Sequence, residues 1–145
     1  MSQTVRNARS AYYRAHGLPA DGGISSPTVK YPTVFGTITL PNVESRKRAL
    51  PLHDLHHIAT GYDTSWFGEA EIAWWELGAG CHGFAAAWFL NFSAGLVGLV
   101  IAPRRSLRAW RRGLHSRSLY RTTWDDRWLD WTLDELRAFL ALPPA

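Results

Sequence analysis

The stretch His53-Asp54-Leu55-His56-His57, with Glu69 twelve residues after His57, holds residue types that bind a transition metal. On a helix, His53 and His57 lie four apart and share a face. Asp54 and His57 lie three apart, so all three side chains can reach one point beside the helix. Leu55, Ile58 and Ala59 fall on or toward the other side, where they can pack. Glu69 follows a break at Gly61, and an antiparallel helix pair can return it to the same point. Two imidazoles and two carboxylates make an N₂O₂ set. That set suits Zn²⁺, Fe²⁺ or Mn²⁺, whereas Ca²⁺ asks for more oxygens. The expected ligands are His53, Asp54, His57 and Glu69. His56 is expected beside the metal rather than on it. Glu76 shares a face with Glu69, seven residues on, and can be a proton donor, a partner that orients a ligand, or an exposed helix acid. The competing reading is a solvated polar face. Three His and one Asp within five residues of an otherwise apolar chain speak against it.

Two other chemistries use similar patterns. His53-Asp54-x-x-His57 differs by one methylene from the zincin pattern H-E-x-x-H, where the glutamate is a general base. A shortened acid reaches poorly, and a chain of 145 residues leaves little room for a peptide cleft. The His-Asp pair also occurs in HD phosphohydrolases, but their further spaced His and Asp ligands have no counterpart here.

These side chains need a helix, a break and a second helix to meet. Proline tolerates a first helical turn, so a helix is expected from near Pro51, through His57, to Gly61. Glu44 to Arg48 reads as a charged connector before it. Asp63 and Thr64 can start the next helix, which runs to about Ala79 and ends at Gly78 and Gly80. Phe67, Ala70, Trp74 and Leu77 share one of its faces at helical spacing. Upstream, residues 4–16 can form a helix, and the Pro- and Gly-rich residues 17–33 read as an irregular arm. Residues 33–40, TVFGTITL, can be a short strand bracketed by Pro32 and Pro41. Residues 81–102 carry no Asp, Glu, Lys or Arg. Their length makes them a transmembrane candidate. His82, Asn91, Ser93 and three Gly favour a buried or lipid-facing helix or helix pair instead. Residues 104–115 make an amphipathic helix, with Arg104, Arg108, Arg111 and Arg112 opposite Leu107, Trp110 and Leu114. Thr132 and Glu135 have capping-box spacing and open a last helix that ends at Pro143. No repeat or second domain is visible. The expected fold is all-α: one domain over 1–145, with an arm at 1–41 and a helical-bundle core at 42–145 holding the metal between two adjacent helices.

Composition bounds the partners. A 46% hydrophobic content supports one packed core, and eight Trp suit cores, ligand clefts or membrane interfaces. The single cysteine, Cys81, excludes an intrachain disulfide and reads as a small buried hydrophobe. No secretory h-region opens the chain. Arg6, Arg9 and Arg14 faintly resemble a mitochondrial presequence, but Pro19, Gly22 and Gly23 end that segment early and favour a surface helix. Seven Arg and no acid lie between Pro103 and Arg121. Such a stretch attracts anionic lipid headgroups, at about 1 kcal/mol per basic residue near the surface. No stacking platform or known module accompanies it, so nucleic acid is not an expected partner.

With those residues in place, HDLHHIATGYDTSWFGE resembles the signature of the ubiquinone-biosynthesis Coq4 family, H-D-x-x-H-x(11)-E. His53, Asp54, His57 and Glu69 stand at its fixed positions, with Gly61 and Gly68 around them. The tail WLDWTLDELRAFLALPP is similar to that family's end through Leu136 and Arg137. The likeness covers roughly residues 45–142 and is weaker before them, where family members carry additional helices. The resemblance implies a mostly helical, membrane-associated protein with one divalent metal, Zn²⁺ first and Fe²⁺ or Mn²⁺ as alternatives. It implies action on polyprenylated ring precursors of ubiquinone, by oxidative decarboxylation at ring carbon C1. O₂ would be the oxidant, and His53, Asp54, His57, Glu69 and Glu76 would carry the catalysis. A second reading is a non-catalytic lipid-binding scaffold that organises the other quinone-biosynthesis enzymes. A third is a metal-dependent prenyl-phosphate hydrolase, with the Arg stretch on the phosphate. A polyprenyl tail needs an apolar cleft. Trp74, Trp75, Phe84, Trp88 and Phe89 are candidates for it, with Arg104 and Arg108 toward lipid headgroups; ordinary core packing is the alternative for each aromatic. The expected location is cytoplasmic and peripheral on the inner membrane in a bacterium, or the mitochondrial inner membrane in a eukaryote. Homo-oligomerisation is left open.

Overall fold

The chain commits to a helix at Thr4, whose hydroxyl accepts from the Asn7 amide and caps α1, Val5–Ala15. The computed structural model describes residues 3–33 and 36–144, without the side chains of residues 31–33, 86 and 89. Both flanks of Thr4 are tied to the far end of the sequence. The Val5 amide donates to the Trp131 carbonyl, and the Leu133 amide donates to the Gln3 carbonyl. Buried Ala8 and Tyr13 turn α1 toward the rest of the molecule.

After α1 the Pro- and Gly-rich arm is only partly irregular. An antiparallel hairpin of β1, Thr28–Thr33, and β2, Gly36–Pro41, stands where one short strand was expected. Val34 and Phe35, part of the expected strand, lie outside the described residues. β2 is exposed along its whole length, so the period-2 burial that marks a half-buried strand is missing. Pro32 and Pro41 sit inside the strands, which a two-stranded ribbon with open edges permits. Asn42 clasps the base of the hairpin, its amide donating to the carbonyls of Gly23, Ile24 and Ser26. The fold is therefore mostly helical with a small sheet, rather than all-α.

Helix α2 runs from Glu44 to Thr60, so the expected connector at 44–48 is its first turns and Pro51 lies in its interior. An interior proline removes one i→i−4 bond and is costly. Buried Ala49, Leu52 and Leu55 on either side of it anchor the helix in the core. Gly61, at φ +79°, ends it. Two guanidinium groups satisfy carbonyls of its last turn: Arg137 donates to Ala59 at 2.6 Å and Arg112 to Thr60 at 3.1 Å. Helix α3, Trp66–Ala79, is capped by Ser65. The intervening turn is tight. A Cβ on Gly68 would stand 2.1 Å from the Asp63 carbonyl oxygen, so only glycine lets the chain reverse this sharply just before Glu69.

Helices α4, Ala85–Ile101, and α5, Pro103–Leu114, follow. α5 crosses α3 at close range: a Cβ on Gly113 would lie 2.2 Å from the Trp75 carbonyl oxygen, and one on Gly78 would lie 2.6 Å from that of Trp110. This contact sets the orientation of α5. Its packed face is Ser106, Ala109 and Gly113, because only small side chains allow the approach, while Leu107, Trp110 and Leu114 are exposed. The uncharged stretch 81–102 is likewise not a wholly buried core. α4 turns Ala87 and Asn91 inward and leaves Trp88, Phe92, Leu96 and Val100 exposed. No helix among the described residues is long and apolar enough to cross a membrane. Two 3₁₀ turns, Leu119–Arg121 and Asp126–Asp130, lead to α6, Leu133–Phe139. Its Thr132–Glu135 capping box forms as expected. The core gathers Leu52, Leu55, Ile72, Trp75, Leu119 and Leu136, all at most 1% exposed.

Candidate metal centre

α2 and α3 place His53, His57 and Glu69 so that one ligand atom from each lies within 4.8 Å of the others. The tautomers follow from the partners. His57 Nδ1 is 2.9 Å from the Tyr62 carbonyl oxygen, which can only accept, so Nδ1 carries the proton and Nε2 a lone pair. His53 Nδ1 is 2.8 Å from Glu76 Oε1 and donates to it, which leaves His53 Nε2 for the same gap. The two Nε2 atoms are 3.1 Å apart. Glu69 reaches both, at 3.4 Å from His57 Nε2 and 3.8 Å from His53 Nε2. Two imidazole lone pairs and a carboxylate facing one gap require a cation between them, either a proton or a metal. Two nitrogens on a tetrahedral Zn²⁺ stand about 3.3 Å apart, so the donor set fits such an ion with little movement. Three protein ligands with the remaining position open is the pattern of a catalytic rather than a structural zinc site.

Glu76 is fully buried and supports the cluster from behind. Its carboxylate accepts from His53, from His56 Nδ1 at 2.6 Å, from the Asn91 amide and from the Tyr120 hydroxyl at 3.1 Å to each oxygen. Burial alone would raise its pKa, but the His53 and His56 imidazoles overcome that and hold it well below the ordinary carboxylate range. Glu76 is thus an ionised acceptor that orients His53, not a proton donor. A carboxylate on the far nitrogen of a metal-binding imidazole fixes its tautomer and strengthens it as a ligand. His56 completes the structural side. It is fully buried, accepts from the Leu119 amide through Nε2 and packs edge-on to Trp75 and Tyr120.

Asp54 stands apart from the three-residue group. Its Oδ2 accepts from the Tyr13 hydroxyl at 2.8 Å, under Gly22, where a Cβ would come within 3.0 Å of that oxygen. Burial raises the Asp54 pKa against the opposing charge of His53. Asp54 still lines the same cavity, together with Tyr12, whose ring stacks on His57 at 5.8 Å. That cavity holds about 700 Å³, with His53, His57 and Glu69 in its wall and Trp66, Leu90 and Val97 among its apolar sides. The aromatics expected to form a lipid cleft are elsewhere. Trp75 is core, Trp74 donates to the Gly95 carbonyl, Phe84 packs on Tyr120, and Trp88 is exposed. The side chain of Phe89 lies outside the described residues. Arg104 and Arg108 are exposed on α5 and do not line the cavity. Sequence reasoning missed Tyr12, Tyr13 and Tyr120, which belong to distant segments. It noted Asn91 only as a polar interruption, although an amide in an uncharged stretch was the signal for a buried acceptor.

A proton and a bound metal would compete for the same gap. Burial favours neutral His53, but the Glu76 and Glu69 carboxylates outweigh it and hold the His53 pKa well above the ordinary value. Since Nδ1 already donates to Glu76, the additional proton sits on Nε2. A metal would have to displace that proton until the pH passes the raised pKa, so affinity is expected to keep climbing as pH rises above the ordinary imidazole value of about 6.5. Calorimetry of Zn²⁺ binding in buffers of different ionisation enthalpy should show proton release; no release would contradict the shared gap.

No family model matches the chain, and no curated protein or solved structure matches it either.

Proposed function

We propose that this protein is a metal-dependent enzyme acting on an apolar, prenylated quinone precursor, by oxidative decarboxylation of its ring. The observation that carries the reading is the approach of the His53 and His57 Nε2 atoms to 3.1 Å, beside Glu69, in the wall of a mostly apolar cavity. His53, His57 and Glu69 would hold the metal, and a bound metal would supply Lewis acidity toward an oxygen of the ring head. Glu76 keeps His53 in its ligating tautomer. Tyr12 covers His57 from the α1 side, and Asp54 adds a second carboxyl to the cavity without joining the cluster. The apolar walls contributed by α4 suit a prenyl chain.

The test is release of labelled CO₂ from a carboxyl-labelled prenyl hydroxybenzoate, with Zn²⁺, Fe²⁺ or Mn²⁺ supplied in turn, under air and under argon. Metal-dependent release under air that stops under argon supports the reading. Tight binding of the precursor with no release under any metal would leave the second reading, a lipid-binding scaffold. One observation favours that alternative: the outward face of α4 exposes Trp88, Phe92, Leu96 and Val100, beside the arginines of α5, as a protein resting on an anionic membrane would.

A further inference from the structure

Helix α4 turns one stripe of side chains to the cavity: Ala87, Leu90, Asn91, Ala94 and Val97, at helical spacing. Asn91 is the one side-chain amide in the lining, and it is 5% exposed. What stands behind it fixes its orientation. The Glu76 carboxylate can only accept, so the atom that meets it is Nδ2, which donates to Glu76 Oε2 and also reaches Cys81 Sγ at 3.6 Å. The nitrogen is thereby spent on the protein, and the carbonyl oxygen is not. Among the described residues no group donates to Asn91 Oδ1. The buried side-chain polar atoms left without a partner there are Trp75 Nε1 and Ser106 Oγ. Asn91 Oδ1 is not sealed in the core as these two are; it opens on the cavity that Asn91 lines. Its neighbours one turn away, Ala87 and Ala94, are too short to cover it. An acceptor held in place by two contacts on an apolar wall is built to recognise a donor on a ligand.

We propose that Asn91 Oδ1 is a specificity-determining contact of the cavity, accepting a hydrogen bond from the phenolic hydroxyl of an aromatic ligand. The proposal rests on the reading of the cavity as the substrate site and deepens it. A prenyl hydroxybenzoate carries one such donor and one carboxylate. Asn91 takes the hydroxyl and disfavours the carboxylate, because the ionised Glu76 lies directly behind the amide. The ring therefore enters with its hydroxyl toward α4.

The experiment uses the full chain stripped of metal by a chelator, so that no ligand can coordinate an ion. Calorimetry compares p-hexylphenol with p-hexylanisole, its methyl ether, which keeps the apolar body and lacks the donor. Wild type is expected to bind the phenol about tenfold more tightly, as one net hydrogen bond gives. Asn91→Leu and Asn91→Ala should bring the two affinities together, with helicity checked by circular dichroism. Loss of the Asn91 contact to Glu76 weakens both ligands alike if its role is structural, so the ratio of affinities reads the acceptor. A second measurement needs no substitution. The chain has three asparagines. In wild type isotopically labelled at their side chains, the phenol should shift the Asn91 amide resonance and the ether should not. Equal binding of phenol and ether by wild type, a preference that survives both substitutions, or an unmoved Asn91 resonance would overturn the contact and leave the cavity reading standing. Failure to bind either ligand would overturn the cavity reading itself.

Discussion

Wild type purified without a histidine tag is expected to carry about one equivalent of a transition metal, and His57→Ala and Glu69→Ala are expected to lack it while keeping wild-type helicity. Each removes one of three donors that face the same gap. Glu69 is partly exposed and leaves no core void, whereas His57 is buried at the cavity wall, so helicity is the control that matters for His57→Ala. Asp54→Asn is the informative contrast. The four-residue pattern in the sequence makes Asp54 a ligand equal to the others, whereas the structure gives its carboxyl to Tyr13. An asparagine there keeps an acceptor for the Tyr13 hydroxyl and nearly the same volume. Metal content should therefore survive in Asp54→Asn, and any loss of turnover would then belong to the carboxyl's work in the cavity. Metal lost equally in all three variants would return Asp54 to the ligand set. Metal kept in all three would remove the cluster from consideration.

That contrast shows what could be read from spacing. Helical periodicity brings i and i+4 together whatever the rest of the molecule does, so the His53–His57 pair was legible, and Gly61 and Gly68 marked the reversal that returns Glu69. The same periodicity places Asp54 near the pair but cannot say which neighbour its carboxyl meets. That was decided by Tyr13, forty-one residues away, and by the arm that closes over both at Gly22. The boundary of α2 was misjudged for a related reason. Pro51 has the local signature of a helix start, yet tertiary burial of Ala49 and Leu52 carries the helix through it. On α5 the amphipathic pattern separates arginines from large apolar residues, but the face that packs, Ser106, Ala109 and Gly113, is set by the backbone crossing at Gly78 and Gly113. Periodicity reports which residues share a face; it does not report how near the next helix comes.

Glu76→Gln should cost the metal-free protein about 3–5 kcal/mol of stability at neutral pH, the range for breaking a buried, hydrogen-bonded charge network. Four groups donate to this one carboxylate from α2, α4 and the turn at Tyr120, so it joins three parts of the core to α3. A glutamine supplies one acceptor oxygen and turns an amide against donors that have nowhere else to go. Because folding depresses the Glu76 pKa, the carboxylate's contribution is fully present above its unfolded value, about 4.5, and is lost as pH falls through the folded one. The gap between wild type and Glu76→Gln in urea midpoint should accordingly be widest near neutrality and narrow on acidification below about 4.5. A pH-independent gap would mean that shape, not charge, holds the network. The same substitution should weaken Zn²⁺ binding by about 10- to 100-fold, since His53 would lose the carboxylate that fixes its tautomer. Metal content alone would not separate weaker ligation from partial unfolding, so the affinity must be read under conditions where both proteins are fully folded. An undiminished affinity there would show that Glu76 serves the core alone, and that His53 finds its ligating orientation without it.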